Sequence, residues 1–542
     1  MMSGHADSAR VAAMIRERSV RRAGADTSDA ERRNRIRLLA DYRARIDAAH
    51  VYDVAVVSPL QDAPMLSARL GDHVLLKRED MQSVHSFKLR GAYNKIAALS
   101  IKARARGVVA ASAGNHAQGV ALAAQRMGIE AWIVMPRTTP AIKVEAVRAL
   151  GAHVVLHGDA YDDAAAQAAS LVVEKGLTPV PPYDDPDVIA GQGTVGKEIV
   201  EQIAAARFDA VFVPVGGGGL LAGVAAYIKS ARPGTLVIGV EPNDSNCMAA
   251  ALAAGRRVQL PEVGLFADGV AVRQAGKETY RVARACVDGV VTVSVDEICS
   301  AVRDLYTAQR AIAEPAGALG IAGLKRWVQA HPGHGRTLVA VVSGANVNFD
   351  RLRHIAERAE LGDGKETLLA ATIPECPGSF RAFLKLLGRR VVTEFNYRYA
   401  GGEEAHVFAG VQFADAEDRA KVLAGLHEQG IPVVDLSGNE MAKAHVRYMV
   451  GGHGHGVTDE RLFRFEFPER PGALGDFLRA VGAHWNISLF HYRNHGAAYG
   501  RVLCGLQVPR AEREDCRRAL DGLGYAWADE TANPAYSLFL AA

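Results

Sequence analysis

Residues 209–224 read DAVFVPVGGGGLLAGV, an apolar run, four glycines and a helix-like pattern in direct succession. The Val-rich run predicts a buried strand, and the residues after the glycines predict a helix. Four consecutive glycines carry a large entropic cost, which a simple connection does not need. Residues 216–219 therefore favour a loop that holds a phosphate group at the start of a helix over a flexible linker.

The same loop permits a second interpretation. Gly217, Gly219 and Gly223 give the pattern G-x-G-x-x-x-G, and Glu241 closes the next strand where a ribose-binding acid would stand in a dinucleotide site. This spacing departs from the usual G-x-G-x-x-G, and it leaves the two segments described below without a role. An NAD-dependent dehydrogenase stays open as an alternative.

Similar strand-like runs alternate with helical patterns from Val51 to about Glu360. Continuous apolar strands separated by amphipathic helices indicate sheets that are buried on both faces, so we predict a parallel α/β architecture. Such sheets bind ligands at the carboxyl ends of their strands. The runs are VLLK at 74, GVVAAS at 107, AWIVMP at 131, HVVLHG at 153, DAVFVPVG at 209, TLVIGVEP at 235 and RTLVAVVSG at 336.

A lysine stands at an unusual place in the segment SFKLRGAY, residues 86–93. Ser86 is a good N-cap, and the apolar residues that follow recur at helical spacing, so Lys88 is predicted in the first turn of a helix. The positive end of the helix dipole disfavours an ammonium group and lowers its pKa, as a nucleophilic amine requires. An ordinary solvated lysine is the alternative.

The segment ASAGNHAQG, residues 111–119, follows the strand GVVAAS and precedes a helix that ends at Gly128. Small residues with free N–H groups at a helix N-terminus predict a receptor for a carboxylate or a phosphate. A tight turn that is capped by Asn115 or His116 is the alternative.

The last third of the chain repeats itself. IPECPGSFRAFLKLL, VTEFNYR and HVFAGVQF realign with FPERPGALGDFLRAV, ISLFHYR and RVLCGLQV, at an offset of 94 residues through the helix and 95 in the strands that follow. Each copy predicts a small ferredoxin-like α+β domain. We therefore divide the chain into an N-terminal extension (1–50), a catalytic domain (51–360) and two small domains (367–438 and 461–532), joined by GGHGHG at 451.

Composition narrows the function classes. The net charge of +3 gives no basis for nucleic-acid binding. Six cysteines without a C-x-x-C pair predict neither a zinc cage nor disulfides, and a reducing cytoplasm is expected. Pro214 and the four glycines interrupt the longest uncharged stretch, so no membrane span is predicted. The start of the chain lacks the features of an export signal, and residues 1–50 are interpreted as a flexible or loosely helical extension without chemistry.

Taken together, SFKLRGAY, SAGNHAQG, GGGGL and SGANVN resemble the fold-type II pyridoxal-phosphate enzymes, whose fold is that of the tryptophan synthase β subunit. With its paired C-terminal repeats the chain resembles the biosynthetic threonine dehydratases. This resemblance implies pyridoxal 5'-phosphate as cofactor and an α,β-elimination that converts L-threonine, and also L-serine, to 2-oxobutanoate or pyruvate and ammonia. It also implies a place at the first step of isoleucine biosynthesis.

The resemblance also implies roles for individual residues. Lys88 would be bonded to the cofactor and act as the catalytic residue, with Phe87 beside the ring. Asn115 would bind the 3-hydroxyl group, Ser343 would face the pyridine nitrogen, and Ser112, Gly114 and His116 would hold the substrate carboxylate. The phosphate would be held by Gly216, Gly217, Gly218, Gly219 and Leu220.

The repeats resemble ACT-like regulatory domains, which implies inhibition by isoleucine, opposition by valine and a homotetramer. An amino-acid sensor with an inactive lyase domain remains an alternative, although intact Lys88, Asn115 and Ser343 argue against it. The regulatory candidates, which lie at the Pro-Gly turns and the strands after them, are Gly378, Phe380, Tyr397, Gly472 and Leu474.

Two positions depart from the related serine racemases. Those enzymes carry a second acid-base serine where this chain has Ala113, so proton transfer on one face of the substrate is expected. They also carry an acidic residue near a divalent metal where this chain has Cys247. No metal site is predicted.

Overall fold

A computed structural model describes residues 29–204, 206–364, 366–374, 379–388, 390, 392–396, 404–448, 458–468, 485–493 and 499–540. The chain divides into two compact units, Met1–Ile355 and Ala356–Ala542. The sequence placed the end of the catalytic domain close to this division, at about residue 360.

Within its described residues the first unit contains ten strands, and all seven of the predicted runs are among them. In chain order they are β1 (Leu60–Asp62), β2 (His73–Arg78), β3 (Val108–Ala111), β4 (Ala131–Met135), β5 (His153–Leu156), β6 (Thr178–Pro179), β7 (Ala210–Pro214), β8 (Leu236–Pro242), β9 (Gly289–Val293) and β10 (Thr337–Val342).

These strands form two sheets. The larger has the order β1-β2-β10-β7-β8-β9, in which only the edge strand β1 runs antiparallel to its neighbour. The smaller has the order β5-β4-β3-β6 and is entirely parallel. The predicted parallel α/β architecture is therefore confirmed. Its crossover connections place the carboxyl ends of β3, β7 and β10 next to the predicted ligand-binding segments.

Helices cover the faces of both sheets. In chain order they are α1 (Asp29–Asp47), α2 (Pro64–Leu70), α3 (Lys88–Ala97), α4 (Ile101–Arg106), α5 (Asn115–Met127), α6 (Ala141–Ala149), α7 (Tyr161–Lys175), α8 (Pro186–Ile203), α9 (Gly219–Ala231), α10 (Cys247–Ala254), α11 (Lys277–Cys286), α12 (Val295–Gln309), α13 (Pro315–Ala330) and α14 (Arg351–Gly362).

The N-terminal extension differs from the expectation. Helix α1 buries Leu38, Tyr42 and Ile46 in the main core of the first unit. The Tyr42 hydroxyl donates a hydrogen bond of 2.5 Å to Glu278. The interpretation of residues 1–50 as a loose extension is therefore wrong for residues 29–47. Their apolar side chains are few and widely spaced, but they lie on one face of a regular helix.

The part of the second unit that the structure describes contains two four-stranded antiparallel sheets, with orders β12-β13-β11-β14 and β16-β17-β15-β18. Their strands are β11 (Glu366–Pro374), β12 (Val392–Asn396), β13 (Glu404–Gln412), β14 (Val433–Asp435), β15 (Glu460–Pro468), β16 (Asn486–Arg493), β17 (Tyr499–Gln507) and β18 (Ala526–Asp529). The helices are α15 (Ser379–Leu387), α16 (Ala416–Glu428), α17 (Glu440–Ala444), α18 (Arg513–Gly522) and α19 (Pro534–Phe539).

The pairing registers confirm the repeat. Glu366 pairs with Gln412 in the first sheet, and Glu460 pairs with Gln507 in the second. The offset of 94 in the first strand and 95 in the third is the predicted one. The final strands return to 94, since Leu369 pairs with Asp435 and Phe463 with Asp529. The second copy therefore has one extra residue before its third strand and one residue fewer between its third and last strands.

Each copy also carries a short helix after its last strand, α17 or α19, which the sequence did not predict. Asn439 and Asn533 are equivalent residues that cap these two helices, and the Asn439 side chain donates to that of Asn533 at 3.1 Å. Of the regulatory candidates, Gly378, Tyr397, Gly472 and Leu474 lie outside the described residues. Phe380 lies in α15, and only the backbone of this residue is described.

Within the described ranges, every helix is too short or too polar to cross a lipid bilayer.

Candidate active site

Lys88 is the first residue of α3, as the sequence predicts for its helical turn. The cap differs by one residue, since Phe87 rather than Ser86 precedes the helix. A β-bridge between Ser86 and Gly344 holds Ser86 extended, and the Ser86 hydroxyl accepts the Lys88 backbone N–H at 3.1 Å. Ser86 therefore still satisfies one of the free N–H groups at the start of the helix.

The Lys88 amine is held in a partly buried position. Its Nζ donates to the Pro182 carbonyl oxygen at 2.8 Å and lies 5.4 Å from the centre of the Phe87 ring. Burial lowers the pKa of Lys88 to about 8, although the negative charge of Glu314 opposes this shift. A lysine with this pKa carries an appreciable neutral fraction near neutral pH, as a nucleophile or a base requires.

Helix α5 packs closely on the start of α3, at Lys88 and Leu89. A Cβ atom on Gly119 would come within 3.0 Å of the Leu89 backbone nitrogen, so α5 and α3 approach as closely as glycine allows. The Ser112 hydroxyl accepts the Gly114 N–H at 3.3 Å, which folds the loop over the end of β3. The structure thus brings the two predicted segments together.

His116 is buried and neutral. Its Nε2 contacts the Val180 carbonyl oxygen at 2.8 Å, and because a carbonyl only accepts, the ring proton lies on Nε2. Burial and the nearby charge of Lys88 lower the pKa of His116 to about 3. The imidazole therefore offers no positive charge and no further N–H to a substrate carboxylate. Its backbone N–H, in the first turn of α5, remains suited to that role.

The glycine loop requires its glycines. Gly218 has φ of +98°, in the left-handed region that other residues rarely adopt. A Cβ atom on Gly217 would lie 2.3 Å from ring atoms of Tyr183. The Thr279 hydroxyl donates to the Gly217 carbonyl at 2.6 Å and fixes the outer side of the loop. Helix α9 begins at Gly219, so its free N–H groups face the loop, with Leu220 buried in its first turn.

Residues 180–184 connect His116, Lys88 and the glycine loop, and they were not predicted from the sequence. The Val180 and Pro182 carbonyls accept from His116 and Lys88, and Tyr183 packs on the glycine loop. Asp184 accepts the N–H groups of Lys277 and Glu278, each at 2.7 Å, at the start of α11. The signal was present as a Pro-rich and Asp-rich run, PPYDDP, directly after a strand.

Ser343 follows β10 and is buried beside α13. Its hydroxyl lies 3.4 Å from the Ala316 carbonyl, and its own carbonyl accepts the Phe87 N–H at 3.3 Å. Ser343 is therefore the neighbour of the Lys88 turn. Two further residues reach this place and were not predicted, Glu314 before α13 and Asn346 beyond β10.

The dinucleotide interpretation conflicts with the position of Glu241. Its carboxyl group is completely buried and accepts the N–H groups of Met248 and Ala249, each at 2.8 Å, at the start of α10. Burial raises the pKa of Glu241 to about 8. This carboxyl group caps a helix and has no free oxygen for a ribose. The acidic residue that the dehydrogenase alternative needs is therefore already in use.

The thiol of Cys247 lies 3.6 Å from the Gly216 carbonyl, and burial raises its pKa well above the usual range. Among the residues that the structure describes, no three His, Cys, Asp or Glu side chains cluster as metal ligands do. The absence of a metal site stays a prediction.

Sequence comparisons agree with this geometry. Residues 52–344 match the family model of pyridoxal-phosphate dependent enzymes, and residues 357–446 and 451–540 each match that of the C-terminal regulatory domain of threonine dehydratase. The biosynthetic L-threonine dehydratase of Burkholderia multivorans is 54% identical over 503 residues, which cover 92% of this chain and 99% of that protein.

The chain belongs to the threonine dehydratase family. The processed form of threonine deaminase isoform 2 from Solanum lycopersicum superposes with a TM-score of 0.59 at 49% identity, covering 60% of this chain and 88% of that one. A shorter threonine deaminase, from T.th., is 39% identical with a TM-score of 0.53, and 58% of this chain covers 98% of it. Membership in this family confirms the predicted fold class, a fold-type II catalytic domain with two C-terminal regulatory domains.

The residues present fit the cofactor of the threonine dehydratase family. The glycine loop leads into the start of α9, where free backbone N–H groups can hold a phosphate group, and Tyr183 packs so closely on this loop that position 217 has no room for a Cβ atom. The Lys88 amine lies within the same group of segments and has the lowered pKa that covalent attachment to an aldehyde requires.

Gly217→Ala tests the cradle. The added methyl group would collide with Tyr183, and overpacking of this kind costs about 1–3 kcal/mol. We expect the affinity for pyridoxal phosphate to fall by roughly 5- to 150-fold in equilibrium dialysis. Gly234→Ala, where no atom lies within 4 Å of the added carbon, is the control. Tyr183→Ala in the Gly217→Ala background should recover part of the loss, and unchanged affinity in Gly217→Ala would contradict the assignment.

Proposed function

We propose that this chain deaminates L-threonine to 2-oxobutanoate and ammonia with pyridoxal 5'-phosphate, and acts on L-serine to give pyruvate, at the first step of isoleucine biosynthesis. The observation that carries the proposal is the Lys88 amine, held at the start of α3 among the glycine loop, Asn115 and Ser343. Each of these groups has a task in binding the cofactor or moving a proton.

Lys88 supplies the covalent attachment and the base. At pH 7 a group with a pKa of about 8 is neutral in about a tenth of the molecules, so the amine is available without strong alkali. Once the substrate amine has displaced it from the cofactor, the same nitrogen would be free to accept the proton from the substrate Cα atom. Ala113 leaves the opposite face without a second hydroxyl acid, so the proton moves on one face only.

Backbone N–H groups bind the two anionic groups. Residues 216–220 hold the cofactor phosphate, and the loop from Ser112 to His116 holds the substrate carboxylate at the start of α5. The neutral His116 ring contributes by fixing this loop to Val180 and not by its charge. This arrangement keeps the carboxylate close to Lys88 without a competing cation.

When bound, the cofactor withdraws electrons from the substrate Cα atom, which weakens the bonds at that carbon and permits loss of the β-hydroxyl group. The Asn115 amide would bind the cofactor 3-oxygen, and Phe87 would flank its ring. A neutral hydroxyl at Ser343 leaves the ring nitrogen less protonated than an aspartate would, and this favours elimination over transfer of the amino group.

The proposed reaction is tested by incubating the purified, cofactor-loaded protein with L-threonine. Keto acid is measured by its reduction with NADH and lactate dehydrogenase, and ammonia is measured separately. We expect equal amounts of the two products and no reaction with D-threonine. A protein that forms keto acid only when NAD is supplied, with one NADH produced for each keto acid, would instead support the dehydrogenase.

We also propose that the repeats bind isoleucine, that valine opposes it, and that the enzyme is a cytoplasmic homotetramer. The support is the match of both repeats to the regulatory domain of threonine dehydratase. The five cysteines in the described residues are free and buried, as expected in a reducing compartment. Inhibition requires that isoleucine bind a less active state more tightly than the active one.

Removal of the repeats should separate turnover from regulation. In a chain that ends at Gly362 we expect threonine turnover to persist, because the shorter threonine deaminase from T.th. matches only 58% of this chain. Isoleucine should inhibit the full chain at least about fivefold and leave the shortened chain unaffected. The measurement is the rate of keto-acid formation against isoleucine concentration, and inhibition of the shortened chain would refute the assignment.

A further inference from the structure

The Asn115 side chain is held at both ends by residues that the sequence did not identify. Its Nδ2 donates to Glu314 Oε1 at 2.6 Å, and its Oδ1 accepts from Asn346 Nδ2 at 2.7 Å. Asn346 Nδ2 also donates to the Val84 carbonyl at 2.8 Å. Four groups from separate parts of the chain therefore form one continuous line of hydrogen bonds.

The direction of this line follows from its ends. The Val84 carbonyl can only accept, so the amide nitrogen of Asn346 faces it. That nitrogen also faces Asn115, so Asn115 presents its oxygen to Asn346 and its nitrogen to Glu314. An ionised carboxylate can likewise only accept. Both ends thus select the same orientation of the Asn115 amide, and its second N–H remains available to a ligand.

Glu314 is placed by its backbone. It precedes Pro315, which favours the extended conformation that Glu314 adopts with ψ of 159°. Its N–H donates to the Gly344 carbonyl at 3.1 Å, and a Cβ atom on Gly344 would lie 2.7 Å from Oε1. Although it stands at the N-cap position of α13, its side chain does not cap that helix. The carboxyl group is instead directed to Asn115.

Several charges face this carboxyl group. Burial and the like charge of Asp268 raise the pKa of Glu314 to about 7, while Asn115, Lys143 and Arg351 oppose the shift. Lys143 donates to Asp268 at 2.8 Å, and Arg351 lies 3.4 Å from it. Glu314 also adjoins the Lys88 turn, because its N–H donates to the Gly344 carbonyl and Gly344 forms the β-bridge to Ser86, and its negative charge raises the pKa of Lys88.

We propose that Glu314 and Asn346 are positioning residues for the cofactor: they fix the Asn115 amide as a hydrogen-bond donor to the cofactor 3-oxygen, and the Glu314 carboxylate stabilises positive charge on the Lys88 nitrogen. The inference rests on the proposed function, because it assumes that the cofactor occupies this site. It assigns two separable tasks to Glu314, one through its oxygen as an acceptor and one through its charge.

Variants at Glu314 separate the two tasks. Glu314→Gln keeps an acceptor for Asn115 and removes the charge, so we expect near-normal cofactor affinity. The midpoint of the pH titration of the cofactor's visible band should move to lower pH by about one unit or more. Glu314→Ala removes both, so the same shift should accompany a roughly tenfold or greater loss of cofactor affinity in equilibrium dialysis.

Asn346→Asp tests the direction of the hydrogen bonds along this line. An ionised aspartate cannot donate to the Val84 carbonyl or to Asn115, so Asn115 must turn its amide and present its oxygen to Glu314. Glu314→Gln in that background can donate to the turned oxygen. We expect the double variant to recover part of the melting temperature that Asn346→Asp loses in the cofactor-free protein, without recovering cofactor affinity. If these residues had only a structural role, the melting temperature and the cofactor affinity should recover together.

The exposed Glu201→Gln is the control and should change neither affinity nor the spectral midpoint. The inference is overturned if Glu314→Gln and Glu314→Ala both keep the wild-type midpoint and affinity, or if the double variant recovers both properties. In either case wild-type protein with a visible band and keto-acid output leaves the proposed function standing. Wild-type protein without a visible band overturns the function and the inference together.

Discussion

Lys88→Ala is expected to abolish threonine turnover, with a fall in kcat of about 10³-fold or more. Removal of the amine eliminates the covalent attachment and the base in one step, and proton transfer by a positioned group alone contributes about 10²- to 10⁴-fold. Lys88 is also the residue whose pKa of about 8 suits both tasks. The measurement is keto-acid formation from L-threonine at saturating cofactor.

A second readout distinguishes chemistry from misfolding. Treatment of the wild-type protein with borohydride should fix one cofactor per chain to the peptide that contains Lys88, as shown by mass spectrometry, and Lys88→Ala should show no such adduct. Lys102→Ala, at an exposed lysine on the following helix, is the matched control and should retain both keto-acid formation and the adduct at Lys88. Unchanged keto-acid output in Lys88→Ala would refute the proposed function, whatever the adduct shows.

The features that could be predicted from sequence were local ones. Lys88 was assigned to the first turn of a helix from Ser86 and the apolar spacing; the helix begins at Lys88, one residue later than a cap at Ser86 implies, and Ser86 still accepts the Lys88 N–H. The glycine loop was recognised from residues 216–219 alone. Seven strands were found because each is a continuous apolar run, whereas β9 alternates in burial and was missed.

The features that could not be predicted depend on contacts between distant parts of the chain. Glu314 lies 199 residues from Asn115 and precedes a proline, so its local sequence indicates only the start of a helix. Pro182 contributes a backbone carbonyl, which any residue type would supply, and residue identity therefore gives no signal. The role of His116 changed for a related reason, since its burial beneath Val180 determines its charge.

A buried charge network lies directly behind the catalytic turn. Arg90, two residues after Lys88, donates to both oxygens of Glu79 at 2.8 Å and to Glu198 at 2.6 Å. Lys77 donates to the other oxygen of Glu198 at 2.6 Å. All four side chains are fully or almost fully buried. Two positive charges balance two negative ones, and together they join α3 to β2 and α8.

Arg90→Met should therefore destabilise the first unit severely. The substitution keeps an apolar side chain but leaves two buried carboxylates facing the single charge of Lys77. Removal of one partner from a buried ion pair costs about 3–5 kcal/mol, because the remaining charge has lost its solvation without compensation. Loss of the bound cofactor's absorption during urea unfolding reports on this unit alone, so its midpoint is the measurement.

Arg126→Met is the control for Arg90→Met. Arg126 is an exposed arginine on α5, where the same substitution should change stability by no more than about 0.5 kcal/mol. Arg90→Met combined with Glu79→Gln restores the balance of charge and should recover part of the lost stability. A urea midpoint for Arg90→Met equal to that of Arg126→Met would show that water reaches these carboxylates, and that the network does not hold the helix that carries Lys88.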